Sequence, residues 1–236
     1  MKLWITLIII AVVLIGGFAY TKRAQAPETA TTTPSVATTT ESAPAGVMED
    51  GAGGPEVAGV LVDGTYTLDT EKSKVGWTGS KTLIKNYTDH GTLSFTSGST
   101  VVANGHVTSG DFVIDMNSFA VSSTSNTKAT GEMLAGHLKS ADFFDVATYP
   151  TATVKVKNVV NNTVTADVTI KGITKTISFP ATISQDGTAL VGSATLTLDR
   201  TNWDIRYGST KFFGDLGNSV IDDKVLLDLT LYATKK

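Results

Sequence analysis

From Gly64 onward the chain alternates apolar and polar residues in segment after segment. Tyr66 and Leu68 share one face of "TYTLD", Val75 and Trp77 one face of "KVGWTG", and Leu93 and Phe95 one face of "TLSFT". Phe112, Ile114 and Met116 do the same in "GDFVIDM", as do Val154 and Val156 against Lys155 and Lys157. Val164 to Ile170, Leu196 with Leu198, and Val225 to Leu231 continue the pattern. A period of two sends successive side chains to opposite faces and predicts half-buried antiparallel strands. The gaps carry turn residues. Asn104-Gly105 is a two-residue hairpin signal, because both positions tolerate positive φ. Asn161-Asn162 and Asp186-Gly187 serve between longer strands. Roughly ten such segments joined by short turns leave a sandwich or a barrel, and long strands in one meander favour closure, which removes unpaired edges. The count is reconciled with a smaller barrel if "STVVA" extends a neighbouring strand.

Two breaks interrupt the alternation. In the first, Asn117 to Tyr149, Thr130 is placed to cap a helix that starts at Gly131 or Glu132. Met133, Leu134 and Leu138 follow at helical spacing, and the helix is predicted to end near Lys139. The second, Thr201 to Asp222, holds Trp203, Tyr207, Phe212 and Phe213. Two aromatic-rich connections on a barrel are natural covers for its open ends.

The first 60 residues follow other rules. Residues 3–20, "LWITLIIIAVVLIGGFAY", carry no charge and as a helix would span roughly 27 Å, close to the hydrocarbon thickness of a bilayer. Length, and Pro27 beside the small-residue site Ala24-Gln25-Ala26, favour an uncleaved membrane anchor over a cleaved signal peptide. Residues 27–60 are Thr, Ala, Pro, Glu and Gly with five acidic and no basic side chains, a composition that cannot bury a core and reads as a solvated tether. The expected organisation is therefore an anchor or signal at 1–26, a linker at 27–60 and a folded domain at 61–236, held in the extracytoplasmic cell envelope.

Charge and residue types limit the chemistry. The net charge is −3, and the segment from Leu61 holds 16 Lys and Arg against 17 Asp and Glu. A nucleic-acid partner is not expected, since phosphate neutralisation needs a basic face. The chain has no Cys, which removes disulfides and thiolate chemistry. His90, His106 and His137 are the only histidines and stand at no ligand spacing, so no metal is expected. His137 with Asp142 and Asp145 could serve a small hydrolase or isomerase. No nucleophile elbow or phosphate loop accompanies them, and tying down backbone groups after the helix is the competing role, with Asp142 suited to cap the next turn.

Gly136 to Pro150 reads "GHLKSADFFDVATYP". This run resembles the signature of the YceI-like proteins, a bacterial polyisoprenoid-binding family. "YTLDTEKSKVGWTGSK" resembles the family's first hairpin and "VTIKGITKTISFP" its central hairpin, with Gly172 in the turn. "LTLDRTNWDIRYGS" and "SVIDDKVLLDLTLYA" resemble its last two strands and their connection. The resemblance covers about Gly64 to Ala233. It implies an all-β fold, a lipocalin-like antiparallel barrel of eight long strands, whose lumen holds an isoprenoid, a quinone or a related lipid. It implies no shared catalysis and no cofactor beyond the bound lipid, and its members are exported. On that reading Trp77, Phe95, Phe112, Ile114, Leu138, Phe143, Phe144, Val168, Ile170, Leu196, Leu198 and Trp203 are candidate ligand contacts. Parity alone leaves open a filled core and a protein partner. Arg200 and Arg206, two of the three arginines, suit a phosphate head group or an ion pair with a strand-end acid, and His137 is a third candidate head-group contact.

Overall fold

The computed structural model describes residues 60–236. The expected anchor at 3–20, the cleavage site and the linker up to 59 lie outside the described residues. Ten strand segments and one helix follow in order: β1 (Gly64–Leu68), β2 (Lys74–Ser80), β3 (Thr88–Ala103), β4 (His106–Thr124), α1 (Gly131–Lys139), β5 (Thr151–Val160), β6 (Thr163–Ile170), β7 (Ile173–Pro180), β8 (Thr182–Asp186), β9 (Ala189–Asp199) and β10 (Lys224–Lys235). All ladders between them are antiparallel.

The ten segments make eight staves. β1 and β2 lie end to end in the same slot between β3 and β10. β7 and β8 are separated by Ala181 alone, and they form the two ends of the strand order β7-β6-β5-β4-β3-β1-β10-β9-β8. One covalent strand therefore joins both edges of the sheet, pairing β6 with its first half and β9 with its second, and the barrel closes. "STVVA" is the last part of β3, as the smaller strand count requires. The break between β1 and β2 is repaired by a side chain. Buried Ser73 accepts from the Tyr232 amide at 2.9 Å and donates back to its carbonyl at 3.3 Å, so β10 keeps partners where the stave is interrupted.

Three hairpins turn in two residues with both central φ angles positive: Asn104-Gly105, Asn161-Asn162 and Lys171-Gly172. That geometry matches strand twist, which explains why Asn and Gly occupy so many of these positions. The first two hairpins and the β8–β9 turn lie at one end of the barrel. There Tyr66, Leu61, Val102, Val107, Leu190 and Ala233 pack into a plug. Tyr66 is fully buried, and its hydroxyl donates to the Val62 carbonyl at 2.7 Å.

At the other end sit the β2–β3 connection, α1, the β6–β7 turn and residues 200–222. Both aromatic-rich connections thus cover the same end, not one end each. The helix forms as expected: Thr130 Oγ1 accepts from the Met133 amide at 3.2 Å. Met133 itself is exposed, so the buried face of α1 is carried by Leu134 and Leu138.

Candidate ligand-binding lumen

The interior of the barrel is not packed solid. Two cavities of about 120 and 200 Å³ occupy it, one toward the plugged end and one beneath α1. Ile114, Val154, Phe179 and Leu229 line both, so the two adjoin. The inward parity of each strand supplies the lining, and it is almost wholly apolar because the outward parity carries the Thr, Ser, Lys and Asp.

All twelve candidate contacts line this space. Phe95 and Phe112 face the first cavity and Ile114 both. Trp77, Leu138, Phe143, Phe144, Val168, Ile170, Leu196, Leu198 and Trp203 face the second. Val154, Phe179, Leu229 and Phe119 line it too, beyond the twelve expected contacts. The first three were legible as the same parity in their own strands. Phe119 was not. Met116 and Phe119 are both buried though three residues apart, because β4 bulges against β3: Asp115 pairs Ser94 whereas Ala120 pairs Thr92.

The segment after α1 forms the rim. Its backbone folds back on the helix, with the amides of Phe144 and Val146 donating to Leu138 and Lys139 at 3.1 and 2.9 Å. This turns Phe143 and Phe144 inward. The Phe144 ring meets Phe119 at 4.9 Å between centroids, and Phe143 meets Tyr207 of the second cover at 5.1 Å. His137 stands edge-on to both Phe143 and Tyr207, and its Nε2 lies 3.2 Å from Asp142 Oδ2. The Asp142 carboxylate therefore engages the His137 ring across the rim rather than capping the next turn. Asp145 takes a left-handed backbone conformation, φ 45°, and its carbonyl accepts from the amides of Thr148 and Tyr149. His137 and Asp142 are both exposed, on the outer side of the aromatic cover. His90 lies on β3 between Thr78 and Thr88, and His106 begins β4 at the plugged end, so the three histidines are on separate parts of the molecule.

The two arginines differ. Arg200 is buried, and its guanidinium donates to the carbonyls of Asp222 (3.0 Å), Ile205 (2.8 Å) and Ile221 (3.1 Å) and to the Asp223 carboxylate (3.4 Å). Burial pulls its pKa below the ordinary value, against the attraction of Asp223, Asp199 and Asp222. These donors tie the start of the second cover to its end, and Arg200 also lines the second cavity. Arg206 is exposed, pairs with Asp204 and lies over the Phe212 ring at 4.9 Å; it does not line the lumen. Both arginines form ion pairs in the cover, Arg200 with Asp223 and Arg206 with Asp204.

Surface carboxylates brace turns and neighbouring strands. Backbone amides of Gly105 and Asn104 hold Asp63 below the usual carboxylate range, the Lys72 amide does so for Asp69, and Lys157 with Thr176 for Asp167. For Asp199, burial acts to raise the pKa, but hydrogen bonds from Lys211 and Thr201 outweigh it and the net shift is downward. Lys211 is raised in turn by its bond to Asp199. A depressed carboxyl contributes stability above its unfolded pKa and loses it as pH falls through the folded value; a raised amine loses its contribution as pH climbs through its own. The melting temperature is therefore expected to hold steady from about pH 5 to about pH 9 and to fall below about pH 4. Thermal unfolding across that range checks it, and a melting temperature unchanged down to pH 2 would contradict it.

Comparison with known proteins agrees with this architecture. A UPF0312 protein of Staphylococcus aureus is 35% identical over 94 residues, which is 37% of this chain and 54% of that protein. The chain thus spans about half the length of the curated relatives it matches. The crystal structure of BcnA from Burkholderia cenocepacia superposes with a TM-score of 0.57 at 24% identity, covering 71% of this chain and 99% of that one. A polyisoprenoid binding domain from Saccharophagus degradans, implicated in plant cell wall breakdown, gives 0.53 at 19% identity, covering 72% and 98%. At these identities the likeness concerns the fold. The model of the YceI-like domain matches residues 66–233, nearly the whole of the barrel, and the chain belongs to the YceI-like family.

Proposed function

We propose that the protein is an exported or membrane-tethered carrier that holds a long-chain isoprenoid or similar lipid, of the polyprenyl or quinone type, for transport, storage or sequestration. The observation that carries this reading is the pair of adjoining cavities with apolar walls inside a closed barrel. A filled-core domain that binds a protein partner would have interlocked these side chains instead. The neighbour from Saccharophagus degradans, described as a polyisoprenoid binding domain, supports the ligand class. The charge-free segment at 3–20 supports a station at the membrane.

Binding by burial is sufficient for such a task. Transfer of apolar surface from water is worth about 25 cal/mol per Å², so a chain burying several hundred Å² gains on the order of ten kcal/mol before the costs of ordering. Nothing in this mechanism requires His137, Asp142 or Asp145 to react; they close the rim over a guest.

Mass spectrometry of organic extracts of the full-length protein tests the reading. A prenyl-chain or comparable lipid is expected in roughly stoichiometric amount. Val154 lines both cavities, so Val154→Trp is expected to lower the bound lipid about tenfold while far-ultraviolet circular dichroism stays unchanged, because a bulky side chain takes the guest's place. Extracts free of lipid, or a Trp variant that retains it in full, would overturn the carrier.

A further inference from the structure

The barrel wall has a seam. The β6–β7 ladder runs as far as Pro180 opposite Thr163, and the β8–β9 ladder begins at Thr182 opposite Ser193. Between these points the chain changes partners. The Ala181 amide donates to the Asn162 carbonyl at 2.8 Å, toward β6. Successive amides along a strand point in opposite directions, so position 180 aims its nitrogen at β9. That residue is proline and has no N–H to offer, the placement in which a strand tolerates it. Below Pro180 no ladder joins β7 to β9: β9 from Ala194 to Asp199 is paired with β10 alone.

The gap is more than a missing set of hydrogen bonds. An open cleft of about 570 Å³ lies along it, walled by residues 177–180 on one side and 195–199 on the other. Both parities of both strands line this cleft. Along an unpaired strand edge the backbone itself is open to the cleft, which brings residues of both parities to it. Ile177, Phe179, Leu196 and Leu198 line the cleft and the lumen alike. Continuing the β8–β9 register places Phe179 opposite Leu196 on the inside and Ser178 opposite Thr197 on the outside. The outer lip, with Ser178, Thr195, Thr197 and Asn202, gives the unpaired backbone polar, wet surroundings.

We propose that this seam is a lateral portal through which an apolar chain passes between the lumen and a lipid surface, with Phe179 and Leu196 as its inner gate. The inference rests on the carrier reading. One end of the barrel is plugged around Tyr66, and the other lies beneath two covers pinned by Arg200 and Trp203. A long chain threading an end must displace that packing. Sideways passage parts two strands that share no ladder, and Pro180 withholds one donor from that edge.

The chain has no cysteine, so a pair introduced across the seam is the only thiol pair present. Full-length Ser178→Cys/Thr197→Cys protein is to be mixed with phosphatidylcholine vesicles carrying a dansyl-labelled farnesyl chain. With Trp4 replaced by Phe in every form, loading is followed by energy transfer from the lumen-lining Trp77 and Trp203. Bridging the two thiols is expected to slow loading by about tenfold or more, and reduction is expected to restore it, since closing a gate alters rate rather than final occupancy. Equal rates for the bridged and reduced forms would overturn the portal. Absence of transfer to the probe in the unmodified protein would count against the carrier itself, a separate outcome. A second variant needs no cross-link: Pro180→Thr returns the missing donor, and slower loading is expected from it as well, with an unchanged rate counting against the gate.

Discussion

Trp203→Ala is expected to lower the stability of the folded domain by about 3–5 kcal/mol, the range for deleting a large buried aromatic. Trp203 is 1% exposed and ends the 3-10 turn Arg200–Trp203 that starts the second cover. Its indole N–H donates to the Val168 carbonyl at 3.2 Å, which ties the cover to β6, separated from β9 by one stave. Around it pack Phe143, Val168 and Ile205, with Ile173, Ile177 and Leu198 at the edge. Truncation leaves a cavity these neighbours cannot collapse into, because Val168 is held by β6, Phe143 by the segment after α1 and Ile205 by the cover itself. Trp203→Phe keeps most of the apolar contact and loses the hydrogen bond, so a smaller cost of about 1–3 kcal/mol is expected. Urea unfolding of the three proteins measures both values. A loss under 1 kcal/mol for the alanine variant would show that the cover is not part of the cooperative fold.

Arg200→Met is expected to cost a similar amount, about 3–5 kcal/mol, for a different reason. The side chain's apolar volume is roughly kept, but three backbone carbonyls lose their donor, and the Asp223 carboxylate, only 16% exposed, keeps Lys211 at 3.6 Å as its one remaining cationic partner. Leaving partners unsatisfied is the costly half of breaking a buried network. Arg200→Met with Asp223→Asn is therefore expected to be less destabilised than the sum of the single variants, a coupling that a double-mutant cycle reads directly. Arg200→Lys is expected to recover little, because one ammonium cannot reproduce a planar fork that meets acceptors in three directions. Additive effects in the cycle would contradict the network.

The same two residues show where reading the chain alone stops. In the sequence "DRTNWDIRYG" the arginines looked alike, both near acids and both compatible with a phosphate. Their difference comes from residues about twenty positions later. Ile221, Asp222 and Asp223 return beside Arg200 only because β9 and β10 pair from Asp199 opposite Lys224. His137 and Asp142 likewise paired with each other rather than with the backbone, since the segment after α1 folds back onto the helix.

What the sequence determined by itself was local. Alternation marked the strands, since a side-chain period of two is a property of each strand whatever surrounds it. Asn104-Gly105 and Asn161-Asn162 set their turns, since positive φ is a property of the residue. Thr130 set the start of the helix through a bond only three residues long. Tertiary structure alone decided whether the inward faces would interlock or enclose space, for that depends on strand tilt and closure and not on parity. It also decided that both covers share one end. And it turned Pro180 into the point where one strand leaves β6 for β9 with one donor fewer, because a proline without N–H matters only when a partner's carbonyl lies beside it.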